Sequence, residues 1–108
     1  MQNQQLKGHL EPLLLAILES GPAHGYAIIE SLRQRSAGVF DLPEGTIYPA
    51  LHRLEDAGWV SSSRTVVDGR ARRVYRLTAS GQRSLTGSRA TWTEFSSAIS
   101  RVLTAALA

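Results

Sequence analysis

Leu10, Leu13, Leu14, Ile17 and Leu18 recur at the i, i+3, i+4, i+7, i+8 spacing of a helix with one buried stripe. Gly21-Pro22 ends that pattern. A second helix is predicted over about His24 to Arg35, burying Tyr26, Ile29 and Leu32 or close neighbours and stopping at Ser36-Ala37-Gly38. Val39 to Pro43 reads as a short extended link. Ile47, Ala50, Leu51, Leu54 and Ala57 mark a third helix, closed by Gly58. Past Gly58 the period drops to two. "WVSSSRTVV" and "ARRVYRL" read as strands around Asp68-Gly69, a pair favoured where a hairpin turn needs positive φ. Tyr75 is expected in the core. Thr78 is placed to cap a last helix, along which Leu85, Trp92, Phe95, Ile99, Val102 and Leu103 recur. Ser88 interrupts that stripe at one expected apolar position.

This order predicts a mainly α fold with a small β-hairpin. It is a winged helix-turn-helix over residues 1–77 with a C-terminal helix over 78–108. One core fits a chain of 108 residues. The third helix poses a local problem, because Pro49 sits within its apolar repeat. If Thr46 is the N-cap, Pro49 is N3, where a missing N–H costs little. If the helix starts at Pro43, Pro49 lies deeper and kinks it, at a cost of about 3 kcal/mol. Either start puts Thr46, Tyr48 and Pro49 near the helix N-terminus and off the core stripe, with His52 and Arg53 one turn on.

Charge adds a location. Residues 59–77 hold Arg64, Arg70, Arg72, Arg73 and Arg76 against Asp68 alone, whereas the rest of the chain has seven basic and eight acidic residues. The net charge of +3 therefore resides in the hairpin, the pattern expected of a polyanion binder. Helix N-terminal N–H groups favour phosphate, and Thr and Tyr hydroxyls bond phosphate or base edges. Tyr48 has a second reading, packed on helix two with its hydroxyl at the surface. Arg64 and Arg76, nearer the wing base, are expected to pair with carboxylates, and His24 to cap or orient helix two.

Other chemistries are unsupported. There is no cysteine, no Gly-rich phosphate loop and no catalytic triad spacing. His9, Glu11, His24 and His52 lack metal-ligand spacing, so no metal or cofactor is expected. No apolar run approaches a membrane span, and the first residues do not resemble a signal peptide. Both suit a cytoplasmic protein.

"GTIYPALHRLEDAGWV", preceded by "HGYAI" and followed by "DGRARRVYRLTASG", closely resembles the PadR family of bacterial transcriptional regulators, over roughly His9 to Leu85. The short tail resembles the family's compact branch, whose C-terminal part is one dimerising helix. The resemblance implies a homodimer on a pseudo-palindromic operator in double-stranded DNA, acting as a repressor released by a small hydrophobic or aromatic effector. It implies Thr46, Tyr48 and Pro49 in the major groove, with His52 and Arg53 beside them, Arg53 near the backbone. Gly69 and Arg70 would approach the minor groove or flanking phosphates, with Arg72 and Arg73 on the adjoining strand. It also raises two roles for Trp92, Phe95, Ser88 and Ile99, facing Leu14 or Leu18: plain dimer packing, or the lining of an effector cavity. Leu42-Pro43-Glu44 departs from the family pattern, being more acidic and less cap-like. The competing reading is a winged-helix protein-interaction or ligand-sequestering module without DNA binding, against which the basic hairpin argues.

Overall fold

Helix α1 (Leu10–Glu19) runs through the middle of the apolar cluster. Leu14, Leu15, Ile17 and Leu18 are buried, and Leu10 and Leu13 pack partly against the same core. The leucine-rich helix is thus covered on more than the single stripe its spacing predicts. Each fully buried Leu or Ile contributes roughly 1.5–3 kcal/mol. The computed structural model describes residue 6 and residues 8–105.

A two-residue strand, β1 (Ala23–His24), follows the Gly21-Pro22 break. His24 then caps helix α2 (Gly25–Arg35), its Nδ1 accepting from the Ala27 N–H at 3.3 Å. The buried face of α2 is Gly25, Ile28 and Leu32, not the Tyr26-centred face expected from sequence. Tyr26 is 63% exposed and Ile29 only partly covered. Once His24 is the cap, the phase that reaches the core passes through positions 25, 28 and 32. Ala37 and Gly38 close the helix in left-handed backbone, with the Gly38 N–H donating to the Arg33 carbonyl at 2.8 Å.

Helix α3 (Glu44–Asp56) starts two residues before Thr46. Pro43 is its N-cap and offers no side-chain cap; its carbonyl instead accepts from Thr46 and Ile47 at 3.0 and 3.2 Å. Pro49 is therefore inside the helix, which excludes the Thr46-capped start. Lacking an N–H, Pro49 leaves the Gly45 carbonyl without its intrahelical donor. Ile47, Ala50, Leu51 and Leu54 form the buried face.

Strands β2 (Val60–Val67) and β3 (Arg70–Leu77) pair antiparallel around Asp68-Gly69, whose φ angles of 53° and 76° fit a type I′ turn. β1 adds to the other edge of β3, giving the order β1-β3-β2. Ala23 pairs with Tyr75 and His24 with Val74.

Helix α4 (Ala79–Ala105) leaves the sheet directly. Thr78 caps it, accepting from the Gly81 N–H at 3.0 Å while its hydroxyl donates to the Gly58 carbonyl at 2.7 Å. Gly81 rides on the Trp59 carbonyl and 2.7 Å from Leu77 Cδ1, measured from where its Cβ would stand, so a side chain there has no room. Leu85 is buried. Glu19, the last residue of α1, then grips α4 through Arg89, at 2.8 and 3.0 Å, and Gln82, at 2.8 Å. Those bonds hold the Glu19 carboxyl at about 2, well below its ordinary 4.5. Past Arg89 the helix continues into solvent, which accounts for extents of 60 × 28 × 21 Å.

Candidate nucleic-acid interface

The solvent face of α3 presents Gly45, Pro49, His52 and Arg53. Thr46 and Tyr48 are half-buried at its two borders. Tyr48 is set against helix α2: a Cβ on Gly25 would overlap its ring, at 2.6 Å from Cζ. The glycine of "HGYAI" is thus the seat of the tyrosine of "TIYPA". The packing role weighed for Tyr48 is the one its ring adopts, and only part of the residue faces outward. Arg53 is also engaged, its Nε donating to Glu11 Oε1 of α1 at 2.9 Å. That pair is largely exposed and worth at most about 1 kcal/mol.

The hairpin behaves differently. Its register sorts the arginines onto two faces. Arg64 and Arg73 stand opposite each other on the face that carries Val60 and Tyr75 inward. Arg70, Arg72 and Arg76 lie on the other face, opposite Val67, Thr65 and Ser61. Arg72 is half-buried and the other four are exposed. Among the described residues the ion pairs are Arg33–Glu30, Arg53–Glu11 and Arg89–Glu19, so none of the five wing arginines has a carboxylate partner. The pairing expected of Arg64 and Arg76 does not form. Gly69, at the tip, has nothing within 4 Å of its Cβ position.

At the wing base, Ser62 links β2 to α3 by donating to Glu55 Oε2 at 2.5 Å and accepting from Arg73 Nη1 at 3.0 Å. Burial, reinforced by the Glu55 charge, pushes the Tyr75 phenol above its usual range, so it stays neutral beneath the arginines. Arg64 and Tyr26 are the residues that sequence reasoning assigned elsewhere. Counting back from the Asp68-Gly69 turn places Arg64 opposite Arg73, and the core phase of α2 through Ile28 and Leu32 leaves Tyr26 outside.

The tail residues divide. Trp92, Phe95 and Ile99 are 55%, 52% and 40% exposed and continue into exposed Val102 and Leu103. Trp92 meets His9 edge-on at 5.4 Å between ring centres. Ser88 is half-buried. Leu14 and Leu18 do not face this stripe as expected; they are sealed in the core, 0% and 2% exposed, because the winged-helix cluster consumes them. The described residues contain no group of three His, Asp or Glu able to hold a metal, and no helix long and apolar enough to cross a membrane.

Residues 14–87 match the model of the transcriptional regulator PadR-like family. The chain is similar to the transcriptional regulator Rv3488 of Mycobacterium tuberculosis, with 46% identity over 66 residues, 61% of this chain. The match spans 59% of that relative's length. Among solved structures it is similar to a PadR family transcriptional regulator from Eggerthella lenta, with a TM-score of 0.81 and 30% identity, covering 93% of this chain and 86% of that one. It is also similar to Bacillus subtilis PadR in complex with operator DNA, with a TM-score of 0.66 and 26% identity, covering 73% of this chain and 45% of the other.

Proposed function

The chain belongs to the PadR-like family, whose members are winged-helix transcriptional regulators rather than enzymes, and we propose that it regulates transcription by binding operator DNA as a homodimer. The observation that carries this reading is the hairpin: five arginines without a carboxylate partner among the described residues, beside a helix whose N-terminal half exposes Glu44, Gly45 and Pro49. The operator complex of the Bacillus subtilis protein supports the same role for this fold. Pro49 and the outward edges of Thr46 and Tyr48 enter the major groove, with His52 following and Arg53 reaching the backbone by leaving Glu11. Arg70 and Gly69 approach the minor groove, and Arg72 and Arg73 meet flanking phosphates. Tyr26, exposed at the start of α2, adds a hydroxyl for the backbone.

The second copy covers the apolar stripe of α4. Trp92, Phe95, Ile99, Val102 and Leu103 form one exposed row on a helix that has left the core, and soluble chains rarely leave such rows bare. The two recognition helices then read half-sites about one helical turn, roughly 34 Å, apart. Repression, and release by a flat hydrophobic or aromatic effector lodged between Trp92 and its symmetry mate, complete the reading, with the cytoplasm as its site.

Footprinting on DNA upstream of the chain's own gene, with and without planar hydrophobic compounds, tests this function. A protected pseudo-palindrome, lost on adding a compound, is the expected result. No protection at low salt, with the chain dimeric in sedimentation, would leave the protein-interaction module instead.

A further inference from the structure

Of the five wing arginines, Arg64 and Arg73 alone stand directly opposite one another. In a two-residue hairpin the residues flanking the turn, Val67 and Arg70, exchange both backbone bonds, and the pairing alternates from there. Arg64 and Arg73 thus occupy a non-hydrogen-bonded position, where opposed side chains approach most closely. Like charges directly opposite each other destabilise an antiparallel pair. Among the described residues neither guanidinium forms a direct ion pair with an acid. Arg73 is nonetheless held in place, through Ser62 to Glu55 on α3. Tyr75, two residues further along the same face of β3, is 2% exposed, so Arg73 stands at the edge of the core.

The geometry points to a phosphate clamp: Arg64 and Arg73 together grip one phosphodiester group of duplex DNA, between the helix α3 contact and the wing tip. This rests on the DNA-binding reading above and adds Arg64 to it. An anion between the guanidiniums converts their repulsion into two charge-assisted contacts, and a phosphate accepts from both forks at once. Ser62, through Glu55, ties the clamp to the recognition helix, so the clamp fixes the distance from groove to backbone. Its ligand is the backbone, so it acts on any sequence.

The test uses the full chain with Arg64→Gln and Arg64→Glu, and a fluorescein-labelled duplex of arbitrary sequence, about 30 base pairs long. Anisotropy is followed from about 50 to about 300 mM NaCl. Arg64→Gln is expected to lower the slope of log affinity against log salt by about 1 and to weaken binding roughly fivefold near 150 mM. Arg64→Glu weakens it further, yet raises the melting temperature of the free chain at low salt and not at high salt, by replacing repulsion with a cross-strand ion pair. An unchanged slope in Arg64→Gln, with wild type binding steeply, overturns the clamp and leaves the DNA reading standing. Wild type that fails to bind the duplex at low salt overturns both.

Discussion

On helix α3 two of the side chains that face the candidate ligand are tied to other helices: Tyr48 lies on Gly25 of α2, and Arg53 is bonded to Glu11 of α1. On the hairpin, five arginines stand without a carboxylate partner among the described residues, and Arg73 is steadied by a serine. The helix is organised as a shape whose outward residues are positioned before any ligand arrives. The hairpin is organised as a charge whose cost in the free protein is repulsion. On the proposed DNA-binding reading, sequence discrimination falls to the first and salt-dependent grip to the second, because base edges demand geometry whereas phosphates demand only proximity.

The largest effect should come from breaking the shape at its seat. Gly25→Leu drives a side chain into the Tyr48 ring and is expected to cost about 3 kcal/mol, read as a lower urea midpoint. An unshifted midpoint would mean that Tyr48 swings away freely and that α3 is not positioned through it. Next comes the charge. Arg70→Gln with Arg72→Gln should reduce the salt slope by about 2 and weaken binding roughly 30-fold near 150 mM salt, equally on operator and arbitrary duplexes. A loss confined to the operator would move these residues into base recognition. A smaller change sharpens the division: Tyr48→Phe should lower operator preference by about fivefold to tenfold while leaving arbitrary-sequence affinity alone. Competition binding reads that ratio, and a uniform loss would assign the hydroxyl to phosphate. Smallest of all, Glu11→Gln frees Arg53, with a stability change below about 1 kcal/mol and slightly tighter DNA binding. Weaker binding would show that Glu11 holds Arg53 where it is needed.

Much of this was legible in the chain. The Asp68-Gly69 hairpin, the Thr78 cap and the α1 and α3 core positions follow from local chemistry, since a turn needing positive φ or a helix needing a cap names its residues. What escaped depends on partners distant in sequence. β1 is two residues long and shows no period; it exists because Tyr75 and Val74 offer it an edge. The buried face of α2, through Gly25, Ile28 and Leu32, is set by packing against the core, and a sparse apolar pattern in which Tyr26 and Ile29 also fit helical spacing does not single it out. Of the two starts left open for α3, the earlier one holds, with Pro43 as N-cap, because Thr46 and Ile47 bond to the Pro43 carbonyl. The Arg53–Glu11 pair joins residues 42 apart, and no spacing rule reaches that far. Leu14 and Leu18 carried the right hydrophobic spacing but were assigned a second surface, although one small core needs both.

The grip of Glu19 on α4 has a mechanical corollary. A carboxyl that gains a proton only at about 2 keeps its charge at every pH a living cell experiences. Its stabilising effect is full above 4.5 and fades only as acidity drives through about 2. Helix α4, 27 residues long and roughly 40 Å from end to end, is therefore a lever bolted at one end, and acidity does not loosen the bolt. A tilt of about 5° imposed at its far tip swings the winged head by roughly 3 Å, enough to carry a guanidinium out of hydrogen-bonding reach.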